Sequence, residues 1–329
     1  MDAADALLEI ASLLERERAS RYRAKAFRQA AAVVSSLPAD VLADPTLLKA
    51  QKGIGDSTFA VIRQAQQGRV PEYLLELRGE VEPERRSALR ARLKGDLHSH
   101  TDWSDGTTPI DMMVAAARAL GHEYLAITDH SPRLKVARGL SAERLSEQIP
   151  LVRAQSDDRL TVLAGIEVDI VEDGALDQTE EMLGALDIVV ASVHSKLRMD
   201  AAPMTRRMLR AVAHPRVNVL GHCTGRLVEG SRGTRPRSDF DARAVFAACA
   251  ENGVAVEVNS RPERQDPPDD LIAIALEEGC LFSIDSDAHA PGQLSLLDHG
   301  AERAEAAGVP PERIVTTWGV ERLLGWARG

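Results

Sequence analysis

Leu281-Phe282-Ser283-Ile284-Asp285-Ser286-Asp287-Ala288-His289 is a short apolar run that ends in metal-ligand residues, and the same construction recurs along the chain. Gly95-Asp96-Leu97 leads into His98-Ser99-His100, where the alternation of an extended chain points both imidazoles to one side. Between these two stretches, β-branched or apolar runs lie at 125–127, 160–170, 188–193, 217–220 and 254–258. Helix-compatible segments at 109–120, 142–154, 176–185, 204–212, 240–252 and 271–278 separate them. About seven strands alternating with helices predict an α/β fold, a parallel sheet or barrel. In a barrel the C-terminal strand ends converge on one mouth, so residues remote in sequence meet there.

Nearly every run ends in a suitable ligand. Asp105 follows the first, and the others close in Asp129-His130, Gly165-Ile166-Glu167, Ser192-Val193-His194 and Gly221-His222. His98, His100, Asp105, His130, Glu167, His194, His222, Asp287 and His289 are too many for one tetrahedral ion. They suffice for two or three ions sharing a bridging carboxylate. The imidazole and carboxylate set suits Mn²⁺, Zn²⁺ or Fe²⁺ and offers no thiolate that would force zinc. Asp129 and Asp285 are expected to orient ligand histidines from behind. His122, His214 and His299 lie in helix or turn segments and read as structural.

With 329 residues, 44% hydrophobic and 27% charged, the chain has the composition of a soluble globular protein. Its three cysteines, Cys223, Cys249 and Cys280, are scattered in apolar segments, which excludes a disulfide framework or a CxxC metal site. No apolar run approaches a membrane span, and the acidic start lacks the basic region of a signal peptide, so no membrane partner and a cytoplasmic location are expected. The net charge of −10 is uneven: residues 1–94 carry +3 and the remainder −13. A carboxylate excess in the second part agrees with cation binding.

The first part reads as helices only. Ala6, Leu7, Ile10, Leu13 and Leu14 keep helical spacing, residues 24–34 are alanine-rich, and Phe59, Ile62 and Ala65 continue a helix opened by Lys52-Gly53-Ile54-Gly55. A glycine turn at a helix start presents backbone amides to an anion, and Arg16, Arg18, Arg21, Arg23, Lys25 and Arg28 supply basic sequence nearby. A plain turn beside a solvated basic face explains the same residues. Residues 79–94, rich in charge and holding Pro83, form the expected linker between a helical domain at 1–78 and a barrel at 95–329.

At His98-Ser99-His100, Thr128-Asp129-His130, Glu167, His194, Gly221-His222 and Ser286-Asp287-Ala288-His289 the sequence resembles the PHP (polymerase and histidinol phosphatase) superfamily. That resemblance implies a distorted (β/α)₇ barrel with a trinuclear metal centre. It implies one ion on His98, His100, Glu167 and Asp287, a second on Glu167, His194 and His222, and a third on Asp105, His130 and His289. Residues 165–170, 192–195, 221–226 and 257–266 are similar to the PHP domain of bacterial family X DNA polymerases. Lys25-Ala26-Phe27-Arg28-Gln29-Ala30-Ala31 and Gly53-Ile54-Gly55 likewise resemble that family's N-terminal helix-hairpin-helix domain. By this likeness Arg23, Lys25, Arg28, Gly53 and Gly55 would contact DNA. The short linker leaves no room for a polymerase palm, so no polymerase activity is expected. The position aligned with the family's Schiff-base lysine is Val61, which lacks the amine that the lyase reaction requires.

A centre of this kind favours phosphoester hydrolysis without a protein nucleophile. Glu167 and His194 would take part as ligands, with Arg226 and Arg264 orienting phosphate oxygens, although either arginine also reads as an ordinary ion-pair partner. The expectation is a 3′–5′ exonuclease that also cuts at abasic sites, acting on single-stranded DNA or on gapped or recessed ends. A small-molecule phosphatase, such as one for histidinol phosphate, is the alternative, and a non-catalytic DNA-binding or scaffold protein is a third. Aromatic content of 3% offers no evident base-stacking platform, which favours recognition of the DNA backbone.

Overall fold

The computed structural model describes residues 2–17, 20–80, 87–229 and 233–328. The chain divides into two compact units, Met1–Arg85 with Pro291–Gln293, and Arg86–Ala290 with Leu294–Gly329.

The first unit is built from helices α1 (Ala3–Arg16), α2 (Arg21–Ser36), α3 (Ala39–Ala43), α4 (Pro45–Lys49), α5 (Asp56–Gln66) and α6 (Glu72–Glu80). Leu7, Ile10 and Leu14 of α1, Phe27 and Ala30 of α2, Ile62 of α5 and Leu74 of α6 share one apolar core. Asp2 starts α1 by accepting the Ala4 amide, and Asp44 starts α4 by accepting the Thr46 and Leu47 amides. Helices α3 and α4, of five residues each, are too short to show a hydrophobic period, which is why sequence reasoning passes over them. The expected linker overlaps the end of α6. Its residues 81–86 lie outside the described residues, as do Arg18 and the side chain of Arg21. Leu89 and Leu93 already belong to the core of the second unit.

In the second unit β1 (Gly95–Asp96), α7 (Ile110–Ala119), β2 (Tyr124–Ile127), α8 (Ala142–Arg153), β3 (Thr161–Asp169), α9 (Glu180–Ala185) and β4 (Ile188–Ser192) follow in order. After them come α10 (Ala201–Val212), β5 (Val219–Leu220), α11 (Ala242–Glu251), β6 (Ala255–Asn259), α12 (Asp269–Glu277) and β7 (Leu281–Asp285). Two further helices, α13 (Leu297–Ala306) and α14 (Val320–Ala327), were not foreseen from the sequence. The seven strands pair in parallel in sequence order. A parallel bridge between Ser99 and Ala288, with the His100 amide 2.7 Å from the Ala288 carbonyl, joins the last strand end to the first, giving a nearly closed barrel.

The period of two along each strand sorts the side chains. Ile166, Val168, Val189, Ala191, Val256, Val258, Phe282 and Ile284 pack outward under the helices. The alternate positions Tyr124, Ala126, Leu163, Ile188, Val190, Val219 and Ala255 form an inner apolar layer with Val315, Trp318 and Leu323 of the C-terminal segment. Further along the same inward register the chain places Glu167, Asp169, Ser192, Glu257, Asn259 and Asp285, all buried. Strands β3, β4, β6 and β7 thus turn from apolar to polar inside the barrel, and the polar end is where the ligand residues were expected.

Departures from the expected elements are local. The segment at 176–185 begins its helix only after Thr179, whose hydroxyl accepts the Met182 amide, because Leu176 bridges back to Ile170. Strand β5 is shorter than the run at 217–220, and at Asn218, just before it, the side chain takes the Val189 amide at 2.8 Å.

His122, just before β2, is 4% exposed, and neither ring nitrogen has a hydrogen-bond partner. Burial, then the charge of Arg90, pulls its pKa down to about 4. The unfolded chain, titrating near about 6.5, binds more protons across this window, so the contribution is whole above that value and is lost as pH falls through 4. Urea unfolding between pH 7 and 4 is expected to show a smaller acid loss for His122→Leu than for the parent chain.

Candidate metal centre

Glu167, at the end of β3, is the hub. Its Oε1 lies 3.2 Å from His194 Nε2 and 2.9 Å from His222 Nε2. Its Oε2 lies 2.8 Å from His130 Nδ1, 3.3 Å from His98 Nε2 and 3.6 Å from His100 Nε2. Asp287 Oδ1 sits 3.5 Å from His100 Nε2, and Asp105 Oδ1 is 3.4 Å from His130 Nε2 and 3.3 Å from His289 Nε2. The barrel therefore brings all nine residues expected at strand ends into one cluster.

Most of these contacts lack hydrogen-bond geometry. Both Glu167 oxygens, His98 Nε2, both nitrogens of His100 and His194, His130 Nδ1 and His222 Nδ1 are buried without a hydrogen-bond partner. Leaving so many polar atoms unsatisfied is costly unless a cation engages them, so the residues fit a metal centre. Three subsets can each converge on one ion: His98, His100 and Asp287; His100, Asp105, His130 and His289; and His130, Glu167 and His194.

The electrostatics carry the same demand for positive charge. Burial opposes ionisation of Glu167, yet His194, His98 and His130 hold its pKa well below the ordinary carboxylate range. Burial likewise opposes ionisation of Asp287, and Arg264 and His100 overcome it. His130, lowered by burial, is raised to about 10 by Glu167 and Asp105, whereas His100 is brought to about 3 by burial and by His289 and His130.

The surroundings fix these side chains. Glu257 lies 2.6 Å from His98 Nδ1 and accepts the His222 amide at 2.6 Å. Asp169 accepts the His194 amide at 3.1 Å. Asp287 has φ 51°, in the left-handed region, where the Arg264 guanidinium at 3.0 Å and Asn259 at 3.2 Å hold its carboxylate. Gly221 must lack a side chain, since a Cβ there would stand 2.4 Å from Ser192 Oγ.

Several expected roles change. Asp129 accepts from the Thr101 amide and hydroxyl, Ser104 and Gln148, and Asp285 accepts from the Leu97 amide and Ser283. They brace the backbone of the ligand-bearing segments instead of the imidazole rings. Glu257, which sequence reasoning left unassigned, takes the role at His98. Its signal was an acid at an inward position of an otherwise apolar strand. The expectation for Arg226 and Arg264 meets a different geometry as well. Arg264 is buried against Asp287, and Arg226 donates to the Arg264 and Gln265 carbonyls at 3.1 and 2.9 Å.

In the first unit Arg23 and Lys25 are exposed, and the Arg23 guanidinium donates to the Tyr73 hydroxyl at 2.5 Å. Arg28 is withdrawn into an ion pair with Glu15. Gly53 has φ +97°, and the Gly55 amide, at the start of α5, donates to Thr58 Oγ1 at 2.9 Å. Val61 is buried in the same helix.

Barrel, mouth and a match of residues 96–261 to the PHP domain together define a metal-dependent hydrolase of phosphoester bonds. Residues 96–261 match the PHP domain family and residues 1–69 match the Helix-hairpin-helix domain. The chain belongs to the PHP domain family. It is 37% identical over 209 residues to the DNA polymerase/3′-5′ exonuclease PolX of Bacillus subtilis, a match covering 63% of this chain but 35% of that protein. It is 27% identical over 242 residues to the probable phosphatase YcdX of Escherichia coli K12, covering 70% of this chain and 92% of that one. A solved histidinol phosphate phosphatase from Lactococcus lactis aligns with 65% of the chain and 94% of its own, at 19% identity and a TM-score of 0.47. No helix among the described residues is long and apolar enough to cross a membrane.

Glu257→Gln keeps an acceptor for His98 but removes the charge, and loss of such a partner behind a ligand costs 10–100-fold in metal affinity as a rule. Chelator competition with Zn²⁺ or Mn²⁺ is expected to show a drop of about that size, with the far-ultraviolet circular dichroism unchanged.

Proposed function

We propose that this chain hydrolyses DNA phosphodiesters as a 3′–5′ exonuclease, with cutting at abasic sites as a second action. One observation carries the reading: a complete nine-residue mouth and a unit matching a helix-hairpin-helix domain occur in the same chain. The similarity to a relative named as a 3′-5′ exonuclease supports it.

Two or three divalent ions, Mn²⁺, Zn²⁺ or Fe²⁺, would be held by His98, His100, Glu167 and Asp287, by Glu167, His194 and His222, and by Asp105, His130 and His289. Bound there, they would lower the pKa of a coordinated water and offset the charge of the phosphate oxygens. The chain's own work is preorganisation. With Glu257 accepting the His98 Nδ1 proton, the lone pair of Nε2 faces the centre. Glu167 presents one oxygen toward His194 and His222 and the other toward His98 and His130, which suits a bridge. Arg264 and Arg226 act as positioning residues, the first on Asp287 and the second on the loop carrying Arg264. The substrate is DNA with a single-stranded, gapped or recessed end, met in the first unit by Arg23, Lys25 and the turn at Gly53 and Gly55. Arg28, paired with Glu15, contributes less.

A small-ester phosphatase is the second reading, favoured by the 92% coverage of a probable phosphatase and by the acidic barrel. The deciding assay follows a 3′-recessed duplex, labelled at the 5′ end of its recessed strand, with Mn²⁺ and with His98→Ala prepared in parallel. Shortening by the parent chain alone is the expected outcome. If metal analysis shows an occupied centre and neither protein shortens the strand, the phosphatase reading takes its place.

A further inference from the structure

We propose that the loop at 131–138 and the segment at 195–199 form a cationic rim that grips consecutive phosphates of the strand flanking the cleaved bond. The inference rests on the DNA reading above and specifies where the barrel itself holds that substrate.

Position comes first. The loop begins directly after His130 and the segment directly after His194, and β2 and β4 flank β3 in the sheet. The two basic stretches therefore follow the strands on either side of the one that carries Glu167 near its end. Both are fixed at their bases. The Ser131 hydroxyl and the Arg133 amide donate to Asp177, and the Leu140 amide closes the loop on the His130 carbonyl at 2.7 Å. Arg138 ties the far side to the Ser104 carbonyl at 2.9 Å and the Asp102 carbonyl at 2.8 Å. A Cβ on Gly139 would lie 1.8 Å from the Ser131 carbonyl oxygen, so the two ends of the loop touch. Buried Arg207 holds the second stretch by donating to the Ile170 and Ser195 carbonyls, and Ser238 Oγ donates to the Leu197 carbonyl at 2.8 Å. Lys196 is kept at φ 54° in this frame.

Charge follows. Arg133, Lys135, Lys196 and Arg198 are exposed, and among the described residues none of them has a carboxylate at ion-pair distance. Elsewhere on the same unit arginines are routinely paired, as Arg118 with Asp157, Arg153 with Asp187, Arg237 with Asp270 and Arg243 with Glu277. Of the acids between β3 and α9, Asp173 is held by Arg210 and Asp177 by the loop backbone, which leaves Glu172 exposed there, with Glu181 on α9 and Asp200 after the second stretch as further exposed acids nearby in sequence. Val136, at the tip between the cations, is 92% exposed and offers an apolar surface to a sugar or base. Four cations spread over two anchored loops exceed what one phosphate monoester at the metal mouth would use. They match a polyanion with successive charges, and such contacts release counterions.

The test uses the full chain with Mn²⁺ and a 5′-labelled twelve-residue thymidine strand, measuring kcat/KM from 50 to 200 mM NaCl. The variants are Arg133→Glu/Lys135→Glu, Lys196→Glu/Arg198→Glu and the milder Arg133→Gln/Lys135→Gln. Arg159→Glu/Arg216→Glu is the reference, with the same charge change placed ahead of β3 and β5, at the opposite strand ends. Each rim charge reversal is expected to lower kcat/KM by about tenfold at 50 mM salt, through KM. It should also flatten the logarithmic salt dependence by about one to two. The reference pair should change it less than about twofold, and the Gln pair should fall between. Rim variants that match the reference while the parent chain shortens the strand overturn the rim alone. A parent chain that releases phosphate from small monoesters but leaves the strand intact overturns the rim together with the DNA reading.

Discussion

A single carboxylate organises the barrel mouth. Glu167 is buried with its two oxygens within 3.6 Å of five imidazoles, none of which satisfies it as a hydrogen-bond donor. Isolated negative charge in such a place is costly, and the chain answers with histidines on four other strand ends instead of with lysine or a neutral substitute. A cluster that attracts positive charge without supplying it from fixed ammonium groups has the properties of a cation receptor. The surrounding acids, Asp287 and Asp105, deepen the demand, while Arg264 limits it where Asp287 would otherwise be left in a left-handed conformation unsupported.

The placement of this cluster follows from strand alternation. Inward positions are apolar at the start of the strands, where Leu163, Ile188 and Val219 meet Trp318, and polar at the end, where Glu167 and Glu257 stand. The barrel thereby keeps an apolar floor beneath a polar mouth. Val315, Trp318 and Leu323 of the C-terminal segment complete that floor, a contribution that shows only in three dimensions.

Much of this was legible beforehand. Ligand-type residues at the ends of apolar runs pointed to the nine-residue cluster, because the convergence of strand ends in a barrel needs no knowledge of side-chain contacts. The support around the cluster was less legible. Glu257 was visible as an acid in an apolar strand, yet its role depends on a ring 159 residues away in sequence. Arg226 and Arg264 look like mouth cations in sequence, and only packing reveals that carbonyls and Asp287 already claim them. Arg28 gives the same lesson in the helical unit, where Glu15, on the preceding helix, takes its charge.

The seam between β1 and β7 has a consequence for assembly. Leu97 and Asp285 are bonded across 188 residues, and the histidine pair on one side of that seam faces Asp287 and His289 on the other. Chain leaving the ribosome therefore contains Glu167 and all five imidazoles around it before it can close the ring. Contacts of such sequence separation form slowly, since the intervening loop must lose its freedom first. Two of the three subsets take Asp287 or His289 from the end of β7, so those two are completed only when the last strand arrives and the barrel closes.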